Sequence, residues 1–344
     1  MRALDRASAL PSLPPSLRAD RPAELRGLRR DGVRLMILDR SRGTIEHGRL
    51  TELPRHLGRG DLLVVNTSRT LPAAVAARRV SGAPLQLRPC VRRPGVWDVL
   101  AVEAAPPFGN VPLFVGETLL VGEVGATVLG PREDIPLLWR IRIDTDDDLP
   151  LILSQGAPIR YSYVAEPLPL RFSQTVYASH PGSAEAPSAG RPLSWELLRA
   201  LAANGVGRAE IVLHTGLSSY QDDDFDAEHH LYEERFLIAP ETVAAVARAR
   251  RVIAVGTTVV RSLETVATGA HRIETADGWT TLRIGPETEL RAVDGLLTGW
   301  HEPQASHFDL LRAFVPEPLL RRAYLEAIGH GYLWHEFGDE LLIL

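Results

Sequence analysis

Apolar residues in this chain gather in short continuous runs instead of long stripes. Arg34–Asp39 (RLMILD), Asp61–Asn66 (DLLVVN), Glu210–His214, Val252–Val255 and Glu340–Leu344 are such runs. Each reads as an apolar strand, and Asp61–Asn66 and Val252–Val255 have the pattern of a buried one. Helical spacing and caps fall between them. Ser194–Asn204 reads as a helix, with Ser194 as N-cap and Gly205 as its stop. Leu53–Leu57, Pro240–Arg250, Val259–Thr265, Asp309–Phe314 and Leu319–Gly329 read as further helices. Strands alternating with helices predict an α/β domain with a mixed sheet.

Two hairpins are expected, Thr44–His47 against Arg34–Asp39, and Arg272–Thr275 against Thr280–Ile284 across a turn at Asp277–Gly278. From about Val75 to Asp148 the rhythm changes. Leu85–Leu87, Trp97–Val102, Thr118–Val121, Ala126–Leu129 and Leu138–Ile143 are short apolar runs divided by Gly and Pro. Such spacing predicts a small β-barrel or sandwich. The expected organisation is therefore a discontinuous α/β domain, 1–75 with 155–344, and an inserted barrel at 76–154.

The stretch Arg251–Thr265 (RVIAVGTTVVRSLET) carries the strongest local pattern. A β-branched strand stops at Gly256, Thr257 or Thr258 caps the following helix, and free backbone N–H groups face whatever lies above the strand. Arg261 either meets a ligand there or pairs with Glu264 on its own helix face. Polar residues also end other apolar runs: Asn66 and Arg69, His214, and Thr298 with His301. Ligands bind at the carboxyl ends of strands in open α/β sheets, so these ends predict a cleft.

Composition narrows the chemistry. The 344 residues are 45% hydrophobic, enough for a sizeable core, and the net charge is −5. All 38 basic residues are arginine. A chain without lysine cannot form a pyridoxal phosphate Schiff base or supply a P-loop lysine. Neither G-x-G-x-x-G nor G-x-S-x-G occurs in the expected context. The lone Cys90 excludes a disulfide framework within the chain. His229, His230 and His301 lack H-E-x-x-H spacing, so no metal site is expected. No apolar run has transmembrane length and no signal-peptide core is visible, so a cytoplasmic protein is expected.

Taken together the segments resemble the S-adenosylmethionine:tRNA ribosyltransferase-isomerase family of queuosine biosynthesis. Those that carry the resemblance are GDLLVVNTSRTLPA, QTVYASHPGSAEAPSAG, the LHTG run at Leu213, the acidic patch at Glu228, RVIAVGTTVVRSLE, VDGLLTGWHEP and FGDELLIL, from about Arg34 to Leu344. The resemblance implies an α/β domain with an inserted barrel. It implies transfer and rearrangement of the ribosyl group of S-adenosylmethionine onto a 7-aminomethyl-7-deazaguanine base in tRNA, with release of adenine and methionine. No cofactor is implied beyond S-adenosylmethionine as co-substrate.

Carried onto this chain, the family's motifs mark Asn66, Arg69, Ser188, Gly190, Gly216, His229, Gly256, Thr257, Thr258, Arg261 and Thr298 as substrate-binding, and His301, His214 and Glu234 as acid–base candidates. Departures also stand out. Glu185 begins a loop where the family has alanine, Pro192 and Tyr232 replace histidines, and Leu217–Tyr220 and Gly299–Trp300 differ from the usual pattern. These departures leave two alternatives beside the tRNA reading. One is the same chemistry on a small-molecule acceptor. The other is a non-catalytic nucleoside- or RNA-binding role. If tRNA binds, its phosphates need arginines, and Arg78, Arg79, Arg92, Arg93, Arg321 and Arg322 are the candidates.

Overall fold

The computed structural model describes residues 10–11, 13–220, 231–302 and 306–344, and of Ser306 only its place in a helix. Nine strands form one mixed sheet. Its order is Ala276–Thr280, Glu234–Ile238, Gly207–Leu213, Asp61–Asn66, Arg251–Val255, Gly295–Gly299, Glu340–Ile343, Arg34–Asp39 and Thr44–Arg49. Both faces of its central strands are covered, which is why those strands read as unbroken apolar runs, whereas the edge strands Thr44–Arg49 and Ala276–Thr280 are partly exposed. Val64, Ala254 and Leu296 point into one core with the helices Thr257–Thr265 and Glu317–Gly329. Leu63, Val65, Ile253 and Val255 point into the other, with the helix Trp195–Ala203. Ser194 caps that helix as expected, its hydroxyl accepting from Leu197 N–H at 3.0 Å.

Six antiparallel strands between Ala74 and Ile143 close into a barrel. Closure comes from Thr118–Val121, which pairs back onto Ala74–Arg79. Trp97, Val99, Leu119 and Ile141 fill its interior. The strand Ala74–Arg79 was not legible as a run, because its outward positions are exposed and two arginines end it.

The second expected hairpin does not form. Asp277–Gly278 lies inside the strand Ala276–Thr280, which pairs along its whole length with Glu234–Ile238. Arg272–Ile273 pairs instead with Ala267–Gly269. The open edge of Glu234–Ile238 offers a longer run of main-chain partners than a local turn does, and the Arg235–Asp277 ion pair at 2.5 Å reinforces the pairing. The Leu53–Leu57 helix is a 3₁₀ turn over Leu50–Arg55 that contains Pro54.

Candidate active site

Four parallel strands lie side by side at the centre of the sheet: Gly207–Leu213, Asp61–Asn66, Arg251–Val255 and Gly295–Gly299. Parallel pairing puts all their carboxyl ends on one edge. Glu234 opens an antiparallel neighbour and so starts at that same edge. A cavity of about 900 Å³ lies there, lined in part by Gly256, Thr257, Thr258, Arg261, Glu234 and Thr298. Ser188 and His301 also line it.

Gly256 turns the chain from strand to helix at φ +88°, ψ 154°, a conformation essentially reserved for glycine. It is itself the N-cap, and no side chain caps the helix. Thr257 is the first helical residue, so the expected Thr257 or Thr258 cap is corrected and both face the cavity instead. With no capping side chain, the first-turn N–H groups stay available to a ligand.

Arg261 does not pair with Glu264. Its Nη1 pairs with Glu234 Oε2, and its Nε donates to Leu282 O at 2.8 Å. Glu234 Oε1 accepts from Gly216 N–H at 3.2 Å. Glu264 instead accepts from the backbone N–H groups of Arg291, Ala292 and Val293. Three backbone donors satisfy the Glu264 carboxylate, which leaves Arg261 to Glu234.

His301 sits 4.2 Å, centroid to centroid, from His307, which lies 3.3 Å by Nε2 from Thr298 Oγ1. Burial, helped by the neighbouring His335, holds the His301 imidazole down to a pKa of about 4. At neutral pH it is uncharged and keeps a free lone pair.

Other expected site residues lie elsewhere. His214 does not line the cavity. Its Nδ1 is 2.8 Å from Ser68 Oγ, and its ring packs where a Cβ on Gly182 would stand. Burial, then Arg92, lowers its pKa to about 4. Asn66 is a staple between strands: Oδ1 accepts from Leu213 N–H and Ser68 N–H at 3.0 Å, and Nδ2 donates to Leu213 O at 2.9 Å. Gly190 and Gly216 are glycines because Tyr177 and Tyr232 pack against them. Arg69 is exposed. His229 lies outside the described residues. Of the arginines proposed for RNA phosphates, Arg79, Arg92, Arg93, Arg321 and Arg322 are each ion-paired with a carboxylate.

The sequence pattern missed the far side of the cavity. Arg88 reaches it from the barrel, and Tyr161, Tyr163, His335, Glu185 and Glu336 complete that side. Tyr163 stacks on His335 with centroids 4.7 Å apart, and Tyr161 stacks on Tyr163 at 5.6 Å. Burial pushes both Glu185 and Glu336 up to about 7. Among the described residues, Arg88, Tyr163, Thr215, Arg261, His335 and Glu336 each line the cavity with a buried polar atom that has no hydrogen-bond partner. Such atoms are costly unless a polar ligand meets them. Only Glu185, an acid in a loop of small residues, was a signal in the sequence.

Comparison with known proteins decides the family. The family described as "Queuosine biosynthesis protein" matches residues 12–343. The chain belongs to that family of enzymes. A relative from Rubrobacter xylanophilus named S-adenosylmethionine:tRNA ribosyltransferase-isomerase is 37% identical over 96% of this chain and 95% of its own. A Thermotoga maritima relative of the same name is 35% identical over 96% and 97%. The 2.00 Å crystal structure of S-adenosylmethionine tRNA ribosyltransferase from Thermotoga maritima superposes with a TM-score of 0.55, at 31% identity, over 97% of this chain and 99% of that one. In this family member Val255, Gly256, Thr257, Thr258 and Arg261 of the segment Arg251–Glu264 line the cavity.

Proposed function

We propose that the chain transfers the ribosyl group of S-adenosylmethionine to a 7-aminomethyl-7-deazaguanine base in tRNA and rearranges it to epoxyqueuosine, releasing adenine and methionine. In this reading residues 1–75 and 155–344 are the catalytic unit and 76–154 the inserted one. The observation that carries the reading is the cavity at the carboxyl edge of the sheet, lined by Gly256, Thr257, Thr258 and Arg261 from one of the segments that carry the family resemblance. The Thr257–Thr265 helix offers its N-terminus to the donor's carboxylate, and Thr257 and Thr258 offer hydroxyls. Arg261, oriented by Glu234, offers an Nη2 that has no partner of its own.

The sulfonium acidifies the adjacent C5′–H. A neutral imidazole beside it can take that proton, and His301 is one of three cavity histidines, with His307 and His335, that burial holds neutral. No observation favours a small-molecule acceptor or a non-catalytic role. Among the described residues no helix is long and apolar enough to cross a membrane, and a tRNA-modifying reaction places the enzyme in the cytoplasm.

Incubation with S-adenosylmethionine and precursor tRNA bearing the 7-aminomethyl base tests this. Adenine and methionine should appear together with a matching mass gain on the tRNA. Intact S-adenosylmethionine after prolonged incubation with that tRNA would sink the reading.

A further inference from the structure

A barrel strand and the loop after the strand His180–Ser183 each contribute one charged residue to the cavity lining. Arg88, in the strand Pro84–Arg93, is 2% exposed, and Glu185, in the loop after His180–Ser183, is 8% exposed. Arg88 is half satisfied. Its Nε donates to Gln86 Oε1 at 2.8 Å, and its guanidinium lies 4.9 Å over the Phe108 ring, but Nη2 has no partner. Ser218 hydrogen-bonds to Glu185. Each residue feels the other's charge, yet no ion pair within 4.0 Å joins them among the described residues.

A buried guanidinium with a free N–H edge is expensive to maintain without a function, since an apolar residue would pack as well there. The same holds for a carboxyl in a loop of small residues. Together they place one strong donor and one strong acceptor among the residues that line a single cavity. The complementary group carries a carbonyl oxygen next to N–H donors. That is the edge of a guanine-type base, with its C6 carbonyl beside N1–H and the 2-amino group.

We propose that Arg88 and Glu185 are the specificity residues for the acceptor, Arg88 donating through Nη2 to the carbonyl oxygen of a guanine-type base and Glu185 accepting from its N1–H and 2-amino groups. The proposal rests on the ribosyl-transfer reading for the identity of the acceptor. It assigns the barrel a direct part in choosing the substrate. It also gives Glu185 a role where the family pattern has alanine, so acceptor recognition in this chain has its own chemistry.

The test measures binding apart from turnover. The free base 7-aminomethyl-7-deazaguanine is titrated into the wild-type protein, Arg88→Leu and Glu185→Gln, with S-adenosylmethionine titrated into each as a control for an intact site. Both variants should bind the base at least about tenfold more weakly, while donor affinity stays at the wild-type value. An analogue lacking the C6 carbonyl should bind the wild-type protein and Arg88→Leu alike. Equal base affinity in all three proteins, or no base binding by the wild type, overturns the assignment. Turnover of precursor tRNA by the wild type is scored separately. Turnover with equal base affinities overturns the assignment and leaves the ribosyl-transfer reading standing. Weakened base binding in the variants without wild-type turnover supports the base site and removes that reading.

Discussion

His301 and His214 both follow strands that end at the site edge, and sequence alone gave no way to rank them. Their surroundings do. His301 lines the cavity, and His214 is bonded to Ser68 and pressed against Gly182 outside it. The prediction is unequal. His301→Ala should lower turnover by roughly a hundredfold or more, with donor affinity little changed. His214→Ala should leave turnover near wild type and lower stability instead. Single-turnover rates and donor titrations on both variants check this, and equal rate losses would refute the ranking. The pH dependence has a definite sign. Burial lowers the folded pKa of His301 to about 4 from its ordinary 6.5. The group therefore stays neutral and competent above about 5, and the stability it contributes is present above 6.5 and lost as pH falls toward 4. The kcat profile should show no acid limb centred near 6.5 arising from His301.

Among the elements, the unit that matters most is strand, Gly256, helix. The strand is fixed by parallel pairing on both sides, with Asp61–Asn66 and Gly295–Gly299. The helix is anchored below by Val259, Val260 and Leu263, each fully buried. Between them only Gly256 adjusts, and its φ of +88° sets where the helix amides point. An alanine there meets no hard clash, its Cβ lying 3.5 Å from Ala189 Cβ, so the cost is backbone strain. Gly256→Ala should therefore destabilise the fold by about 1–3 kcal/mol. It should also weaken donor binding, because relief of that strain moves the first helical turn. Urea denaturation and donor titration of the same variant measure both. Loss of stability with unchanged donor affinity would show that the helix N-terminus does not hold the donor.

At the scale of the whole molecule, the charge distribution constrains how an RNA is held. A net charge of −5 provides no general attraction to a polyanion. Five of the six arginines first considered for phosphate contact are already ion-paired. Arg78 is exposed on the barrel and has no ion-pair partner among the described residues. Affinity for tRNA should fall with salt, with a log–log slope of about −0.7 to −0.9 per phosphate neutralised. Arg78→Ala should reduce that slope by about one phosphate, and Arg79→Ala should not, since Arg79 is committed to Glu117 and Pro112 O. Identical slopes for the wild type and both variants would remove the barrel's Arg78 face from the RNA contact.

Local pattern was enough for six of the nine strands of the sheet, the N-cap at Ser194, most barrel strands and the order strand, glycine, helix in Arg251–Thr265. These depend on residues close in the chain: burial on both faces produces apolar runs, and a cap needs only a side-chain oxygen near a free N–H. Pairing between distant residues had to await the fold. The sequence offered a hairpin at Asp277–Gly278, but the unpaired edge of Glu234–Ile238 captured that segment. It offered Glu264 as a partner for Arg261, but Glu264 found three backbone donors and Arg261 found Glu234. It could not separate His301 from His214, since both end strands and only packing decides which meets the cavity. Nor could it bring Arg88 to Glu185, because their meeting depends on how the closed barrel sits against the carboxyl edge of the sheet.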